Sequence, residues 1–254
     1  MTDEITVGYV HSKPGQRTFP VAEIFGPTIQ GEGRLLGAPC YFIRFGGCNY
    51  KCSWCDSMHA VDPEQVRQLP NMTAREIVRA VEDLPGYGKW VILSGGNPAL
   101  QDLESVCLGL RSIGMSLQME TQGTHYKEWM RHVSVITVSP KGPSAQLTQD
   151  QYRKQMRLVT DFIEHRRLSN AGPVDLKIPI FSEEDLNFAA SYAEAFPSVK
   201  LYLSVGNFME VDTPETLLRK YEWLIGEALK RPVFSEARMH PQMHVLVWGN
   251  ERGR

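Results

Sequence analysis

The chain of 254 residues is long enough for one α/β domain with a substantial core. Its hydrophobic content of 42% and formal net charge of −2 are ordinary for a soluble globular protein and give no general attraction to nucleic acid. No run of eighteen apolar residues occurs, so no membrane span is expected, and the polar stretch 1–20 lacks the apolar core of a signal peptide.

Residues 1–18 are expected to form a flexible extension, with 1–254 making one domain. Apolar, β-branched or aromatic runs then recur at 41–45, 91–93, 117–120, 133–138, 176–181 and 201–205, and read as strands. Helix signals lie between several of them. Thr73 and Glu76 form a capping box opening a helix over 73–84. Gly114 stops a helix that begins near Asp102. Ser182 and Asp185 open a helix to about Phe196, and Thr213, Pro214 and Glu215 open one that runs to Lys230. The apolar stretch 244–248 reads as a closing strand. Arg153, Lys154, Arg157, Arg166 and Arg167, interrupted by Asp150, Asp161 and Glu164, read as a solvated helix face. Cys40 and Cys107 lie in apolar runs and read as core. Alternating strands and helices argue a parallel sheet with its site at the carboxyl ends of the strands. The strands are too few for eight full units, so the expected fold is α/β, an incomplete TIM-like barrel.

The chemistry-bearing residues gather at strand ends. Gly31 and Gly33 flank Glu32, so the backbone can bend closely around a ligand facing Gln30 and Glu32; a solvent-exposed turn is the alternative. Arg44 ends the 41–45 run, where a guanidinium suits a bidentate grip on a carboxylate or a pair with an acid such as Asp56. Cys48, Cys52 and Cys55 follow with CxxxCxxC spacing. Three thiolates are one fewer than a plain electron-transfer cluster uses, so a 4Fe-4S cluster held by them leaves one iron open to a small chelating molecule. A Cys3His zinc site completed by His59 is the alternative, although no second ligand pair has suitable spacing. The Ser57 hydroxyl suits a hard cation such as Mg²⁺, or a cap or turn with Asp56. Ser94-Gly-Gly-Asn-Pro98 leaves backbone groups open to a ligand's amino group. Glu120-Thr-Gln-Gly-Thr124, Ser139-Pro140-Lys141 and Ser204-Val-Gly-Asn207 end later strands at the same level. His244, a residue type that can bind a ligand or carry a proton, opens the last apolar stretch.

The cysteine spacing resembles the signature of the radical S-adenosylmethionine enzymes, and the ensemble resembles the 7-carboxy-7-deazaguanine synthases. The likeness is carried by Ile29-Gln-Gly-Glu-Gly33, Arg44, the cysteine run with Asp56 and Ser57, the three segments Ser94–Pro98, Glu120–Thr124 and Ser139–Lys141, and the ending 242–253. It implies conversion of 6-carboxy-5,6,7,8-tetrahydropterin to 7-carboxy-7-deazaguanine with release of ammonia, in queuosine-type 7-deazapurine biosynthesis. That is a carbon–nitrogen lyase reaction begun by a radical drawn from S-adenosylmethionine. By the same resemblance, Cys48, Cys52 and Cys55 would hold the 4Fe-4S cluster and Ser57, often threonine in the family, would ligate Mg²⁺. Ile29, Gln30, Gly31, Glu32, Arg44, Ser94 and His244 would meet substrate. Gly96, Asn97, Glu120, Ser139, Pro140, Lys141, Ser204 and Asn207 would meet S-adenosylmethionine. Asn97 stands where many superfamily members have glutamate, so backbone carbonyls are expected to serve the cofactor's ammonium there. The implied setting is a cytoplasmic homodimer served by an electron donor such as flavodoxin or ferredoxin, without nucleic acid or membrane. Two rivals are a glycyl-radical activase acting on a protein, which gives no reason for Arg44 or the Gln-Gly-Glu-Gly loop, and a zinc-stabilised interaction module.

Overall fold

A computed structural model describes residues 17–253. Its strands are β1 (Thr18–Ile29), β2 (Pro39–Phe45), β3 (Asn71–Thr73), β4 (Trp90–Gly95), β5 (Ser116–Thr121), β6 (Val135–Val138), β7 (Val174–Ile180), β8 (Lys200–Val205) and β9 (Arg238–His240). They form one nine-stranded sheet in the order β3-β1-β2-β4-β5-β6-β7-β8-β9. From β2 to β9 neighbours run parallel, while β1 is antiparallel to β2 and β3. β3 and β9 lie at opposite edges and do not pair, so the barrel is partial, as expected.

The helices are α1 (Pro63–Gln68), α2 (Ala74–Glu82), α3 (Glu104–Ser112), α4 (Gln149–Leu168), α5 (Glu183–Ala195), α6 (Pro214–Ala228) and α7 (Met243–Trp248). The central parallel strands are covered on both faces, which is why they read as continuous apolar runs: Val91, Ile92 and Leu93 of β4 are all buried. The Thr73 and Glu76 capping box is formed at the start of α2, and Thr148 with Gln151 makes a second one for α4. Cys40 and Cys107 are buried, and burial pushes both thiols up to about 12.

Three expectations need correction. The 244–248 stretch is not a strand but belongs to α7. Val245 is 2% exposed and Val247 57% exposed; in a strand the two would share a face, and in a helix they do not. The basic residues of α4 do not all face solvent. Arg166 is buried and donates to the carbonyls of Met130 (2.6 Å), Val133 (2.6 Å) and Gly172 (3.2 Å). Arg153, Lys154, Arg157 and Arg167 are exposed as expected. The flexible extension falls outside the described residues up to residue 16, but Thr18 already begins β1, opposite Thr73 of β3.

Arg166→Met keeps the apolar stem and leaves three carbonyls without their donor. The expected cost is roughly 3 kcal/mol, seen as a lower denaturant midpoint at unchanged slope; an unmoved midpoint would mean that water replaces the guanidinium at no cost.

Candidate active site at the carboxyl ends of the strands

The cysteine loop leaves β2 and is pressed onto the loop leaving β4. Gly96 N–H donates to Phe45 O (2.9 Å) and Asn97 N–H to Gly47 O (2.7 Å), while Gly47 N–H reaches Ala60 O (2.8 Å). No side chain fits between. A Cβ on Gly95 would lie 2.1 Å from Phe45 O, and one on Gly96 2.2 Å from Gly47 O. On its other side the cysteine loop is stitched to the turn after β6: Ser53 N–H meets Ala145 O (3.1 Å), and Trp54 Nε1 meets Ser144 Oγ (3.1 Å).

Cys48, Cys52 and Cys55 line a single deep pocket, and none is in a disulfide. Burial pushes the Cys52 thiol up and Cys55 to about 11, so metal charge is what would keep these sulfurs as thiolates. Among the described residues no three His, Cys, Asp or Glu side chains converge as one metal ion requires. His59 Nε2 lies 3.5 Å from Glu23. Among the described residues a Cys3His zinc site completed by His59 is therefore not formed.

One pole of the pocket is built on Arg44. Its Nε donates to Glu23, and its Nη1 donates to Ser57 Oγ at 2.7 Å. Ser57 in turn donates to Asp56 Oδ1 at 2.8 Å. Arg44 is therefore paired with an acid, but with Glu23 of β1 and not with Asp56.

The other pole is a buried ion cluster. Lys177 Nζ lies 2.8 Å from Glu32 Oε2 and 3.3 Å from Glu120 Oε1, and Ser204 Oγ also donates to Glu32. Gln30 Nε2 donates to Gln118 Oε1 (3.1 Å) and Glu120 Oε1 (3.3 Å). Burial opposes charge on Glu32, yet the Lys177 ammonium holds its carboxyl well below the usual range. Burial likewise opposes charge on Lys177, and the two carboxylates overcome it, keeping the ammonium protonated. Burial lowers the His240 pKa; as a neutral ring it accepts from Gly33 N–H at Nε2 (3.0 Å) while Nδ1 faces Pro241 O (3.1 Å). His244 rests on bare backbone: a Cβ on Gly31 would lie 1.9 Å from its Nδ1.

Every residue expected to meet substrate lines this pocket: Ile29, Gln30, Gly31, Glu32, Arg44, Ser94 and His244. Ser57 lines it too, and so do Gly96, Glu120, Ser139, Lys141 and Asn207 of the cofactor set. Glu120 sits on Lys177 beside Glu32, in the buried ion cluster. Asn97, Pro140 and Ser204 lie outside the lining. The Asn97 side chain is spent inside the protein, with Nδ2 on Asn49 Oδ1 (2.9 Å) and Thr124 Oγ1 (3.3 Å). Its Oδ1 accepts from Thr121 Oγ1 (2.8 Å) and Ala99 N–H (3.2 Å). The sequence reading assigned no role to Glu23, Gln122, Lys177, Gln242 or Arg252, all in the lining. Lys177 carried a signal, the one charge in the apolar run 176–181; Glu23 sits between Pro20 and Pro27, with no pattern to give it a role.

Comparison with known proteins now adds to this geometry. The radical SAM superfamily model matches residues 42–167. The 7-carboxy-7-deazaguanine synthase of Bacillus subtilis is 39% identical over 242 residues, 92% of this chain and 98% of the relative. That of Bacillus cereus is 38% identical over 241 residues, 92% of this chain and 98% of the relative. In fold, the crystal structure of QueE from Escherichia coli superposes with a TM-score of 0.63 at 21% identity, over 89% of this chain and 95% of that one.

Lys177→Met strands two carboxylates in the pocket wall. The expected loss is about 3–5 kcal/mol of stability. Adding Glu32→Gln to that variant should recover part of it in equilibrium unfolding, and strictly additive costs would show that the three groups are not coupled.

Proposed function

The chain belongs to the 7-carboxy-7-deazaguanine synthase family of radical S-adenosylmethionine enzymes, and from that premise we propose how its own pocket performs the reaction. The substrate is 6-carboxy-5,6,7,8-tetrahydropterin and the products are 7-carboxy-7-deazaguanine and ammonia. The observation that carries this reading is that the three thiols open onto the same pocket as two ion clusters, one built on a guanidinium and one on an ammonium.

Cys48, Cys52 and Cys55 would hold the 4Fe-4S cluster, which with S-adenosylmethionine supplies one-electron chemistry for hydrogen abstraction at carbon. Ser139, Lys141, Asn207 and the Gly95–Gly96 backbone are placed to hold the cofactor. Arg44 grips the substrate carboxylate while Glu23 fixes the guanidinium from behind. Charge counting favours a divalent cation at this pole. Arg44, Glu23 and Asp56 sum to one negative charge, and a substrate carboxylate would make two, which Mg²⁺ on the Ser57 hydroxyl would neutralise. At the other pole Glu32, ionised and balanced by Lys177, accepts from the N–H donors of the pyrimidinone ring, with Gln30 and His244 completing that wall. The segment 249–253 lines the pocket mouth and narrows it toward a small molecule, which disfavours the protein substrate of an activase. Water exclusion follows from the apolar strands beneath the site, and a reactive carbon centre needs it.

We further place the whole chain in one catalytic domain that takes its electron from a small flavodoxin- or ferredoxin-type protein. Five unpaired cysteines support a reducing cytoplasm. Among the described residues no helix is long and apolar enough to cross a membrane.

Anaerobically reconstituted protein incubated with the pterin should release ammonia and the deazaguanine acid, identified by mass. If deoxyadenosine forms only with a partner protein, the substrate assignment is wrong. Arg44→Ala should weaken the pterin by roughly 30-fold or more and S-adenosylmethionine by far less, in line with a charged hydrogen-bonded pair; equal losses would contradict the carboxylate grip. Ser57→Ala should raise the Mg²⁺ concentration needed for half-maximal turnover, and an identical metal titration would remove Ser57 from the cation.

A further inference from the structure

The side chain of Gln122 is unassigned by everything above, yet it meets the cysteine loop directly. Its Nε2 donates to Cys48 Sγ at 3.0 Å. Its Oε1 is buried and, among the described residues, has no hydrogen-bond partner. The residue is 6% exposed and lines the pocket. A buried amide oxygen without a donor is costly, and such an atom in a pocket wall is one that a ligand is meant to satisfy.

The surroundings fix this orientation. Gln122 follows the end of β5, where Thr121 Oγ1 donates to Asn97 Oδ1 (2.8 Å) and accepts from Gly123 N–H (3.2 Å). Thr124 Oγ1 accepts from Asn49 Nδ2 (3.0 Å), so the segment is tied to the loop after β4 before Gln122 and to the cysteine loop after it. Turning the amide over would set its oxygen against an anionic sulfur, which electrostatics forbids once Cys48 is a thiolate. The pole left without a partner among the described residues is therefore the acceptor. Asn97, which stands where many superfamily members have glutamate, has its oxygen committed to Thr121 and Ala99.

We propose that Gln122 binds both halves of the cofactor: its N–H hydrogen-bonds the Cys48 thiolate and its carbonyl oxygen accepts from the ammonium of S-adenosylmethionine. This rests on the cluster-binding reading above and deepens it. A donor on a ligating sulfur withdraws charge and favours the more electron-rich, reduced cluster, so it raises the reduction potential. The oxygen supplies the acceptor that position 97 does not.

The test compares reconstituted wild type, Gln122→Leu and Gln122→Glu at matched iron content, reading the cluster's midpoint potential by electron paramagnetic resonance and S-adenosylmethionine affinity by equilibrium dialysis. Gln122→Leu removes both contacts: its potential should fall and the cofactor should bind roughly tenfold more weakly, the size of one hydrogen bond to a charged group. Gln122→Glu restores an acceptor without the donor: its potential should fall while affinity stays near or above wild type. Variants that keep wild-type potential and affinity overturn the proposal. Weak binding in both variants overturns the acceptor role, and an unmoved potential in both overturns the donor role. If the wild type itself assembles no iron–sulfur cluster, the underlying reading fails, an outcome distinct from these.

Discussion

The site depends first on a contact that admits no side chains: the backbone of Phe45 and Gly47 lies directly against Gly95 and Gly96. Two hydrogen bonds, Gly96 N–H to Phe45 O and Asn97 N–H to Gly47 O, lock the end of β4 to the start of the cysteine loop. The three thiols are thereby held over the carboxyl ends of β2, β4 and β5 and not out in solvent. The glycine pair that sequence reading took for an open ligand-binding loop thus does two things. Gly96 lines the pocket, and the amides of Gly96 and Asn97 are consumed in holding the loop that carries the metal ligands. Gly95 also has φ of +126°, a backbone region that other residues rarely enter.

On that scaffold the pocket is electrically two-ended. Glu23, Arg44, Asp56 and Ser57 form one ion cluster, and Glu32, Glu120 and Lys177 form the other. Neither is a stability device in the usual sense, because removing solvent from three charges costs several kcal/mol that their mutual attraction only offsets when each is well bonded. A fold that keeps two such clusters facing one cavity has placed charge where a ligand will use it. Their cations differ, with a guanidinium bonded to a hydroxyl at one end and an ammonium held between two carboxylates at the other. This polarity suits a ligand with an acid at one edge and N–H donors at the opposite edge.

The parallel core was legible in the sequence because β4 through β8 are buried on both faces and read as apolar runs. β1 was not legible. It is a long strand antiparallel to its neighbours, half-exposed, interrupted by Pro20 and Pro27, and it shifts register twice against β2. No two-residue alternation survives those breaks, so Glu23 was lost with it. α7 was misread because a run of four apolar residues, 245–248, has no decisive period, and Val245 and Val247 are β-branched. Tertiary anchoring settled the matter: Met243 N–H donates to Gly31 O (3.1 Å), and Val245 is in the core. Site motifs carried by loops were readable; Lys177 was hard to read as functional because it sits inside a strand, where only three-dimensional pairing shows what its charge does.

The open edge of the partial barrel raises a last question, how a sheet with unpaired ends shields reactive chemistry from water. β1 and β9 lie far apart in strand order, yet the chain draws them together without a strand ladder. His240 at the end of β9 accepts from Gly33 N–H, just past β1, and Met243 N–H donates to Gly31 O in the same loop. Both contacts use the backbone of the Gln-Gly-Glu-Gly segment, and His244 then packs where Gly31 lacks a Cβ. The C-terminal segment continues across the mouth, with Asn250 donating to Met209 O (3.0 Å) and accepting from Asn207 Nδ2 (2.8 Å). The seam that a full barrel would close with strands is closed here by a glycine loop and a short helix. The same loop carries Gln30 and Glu32, so sealing the barrel and shaping the substrate wall are one structural act. That is a physical reason for these glycines to lie next to the polar residues that face the ligand.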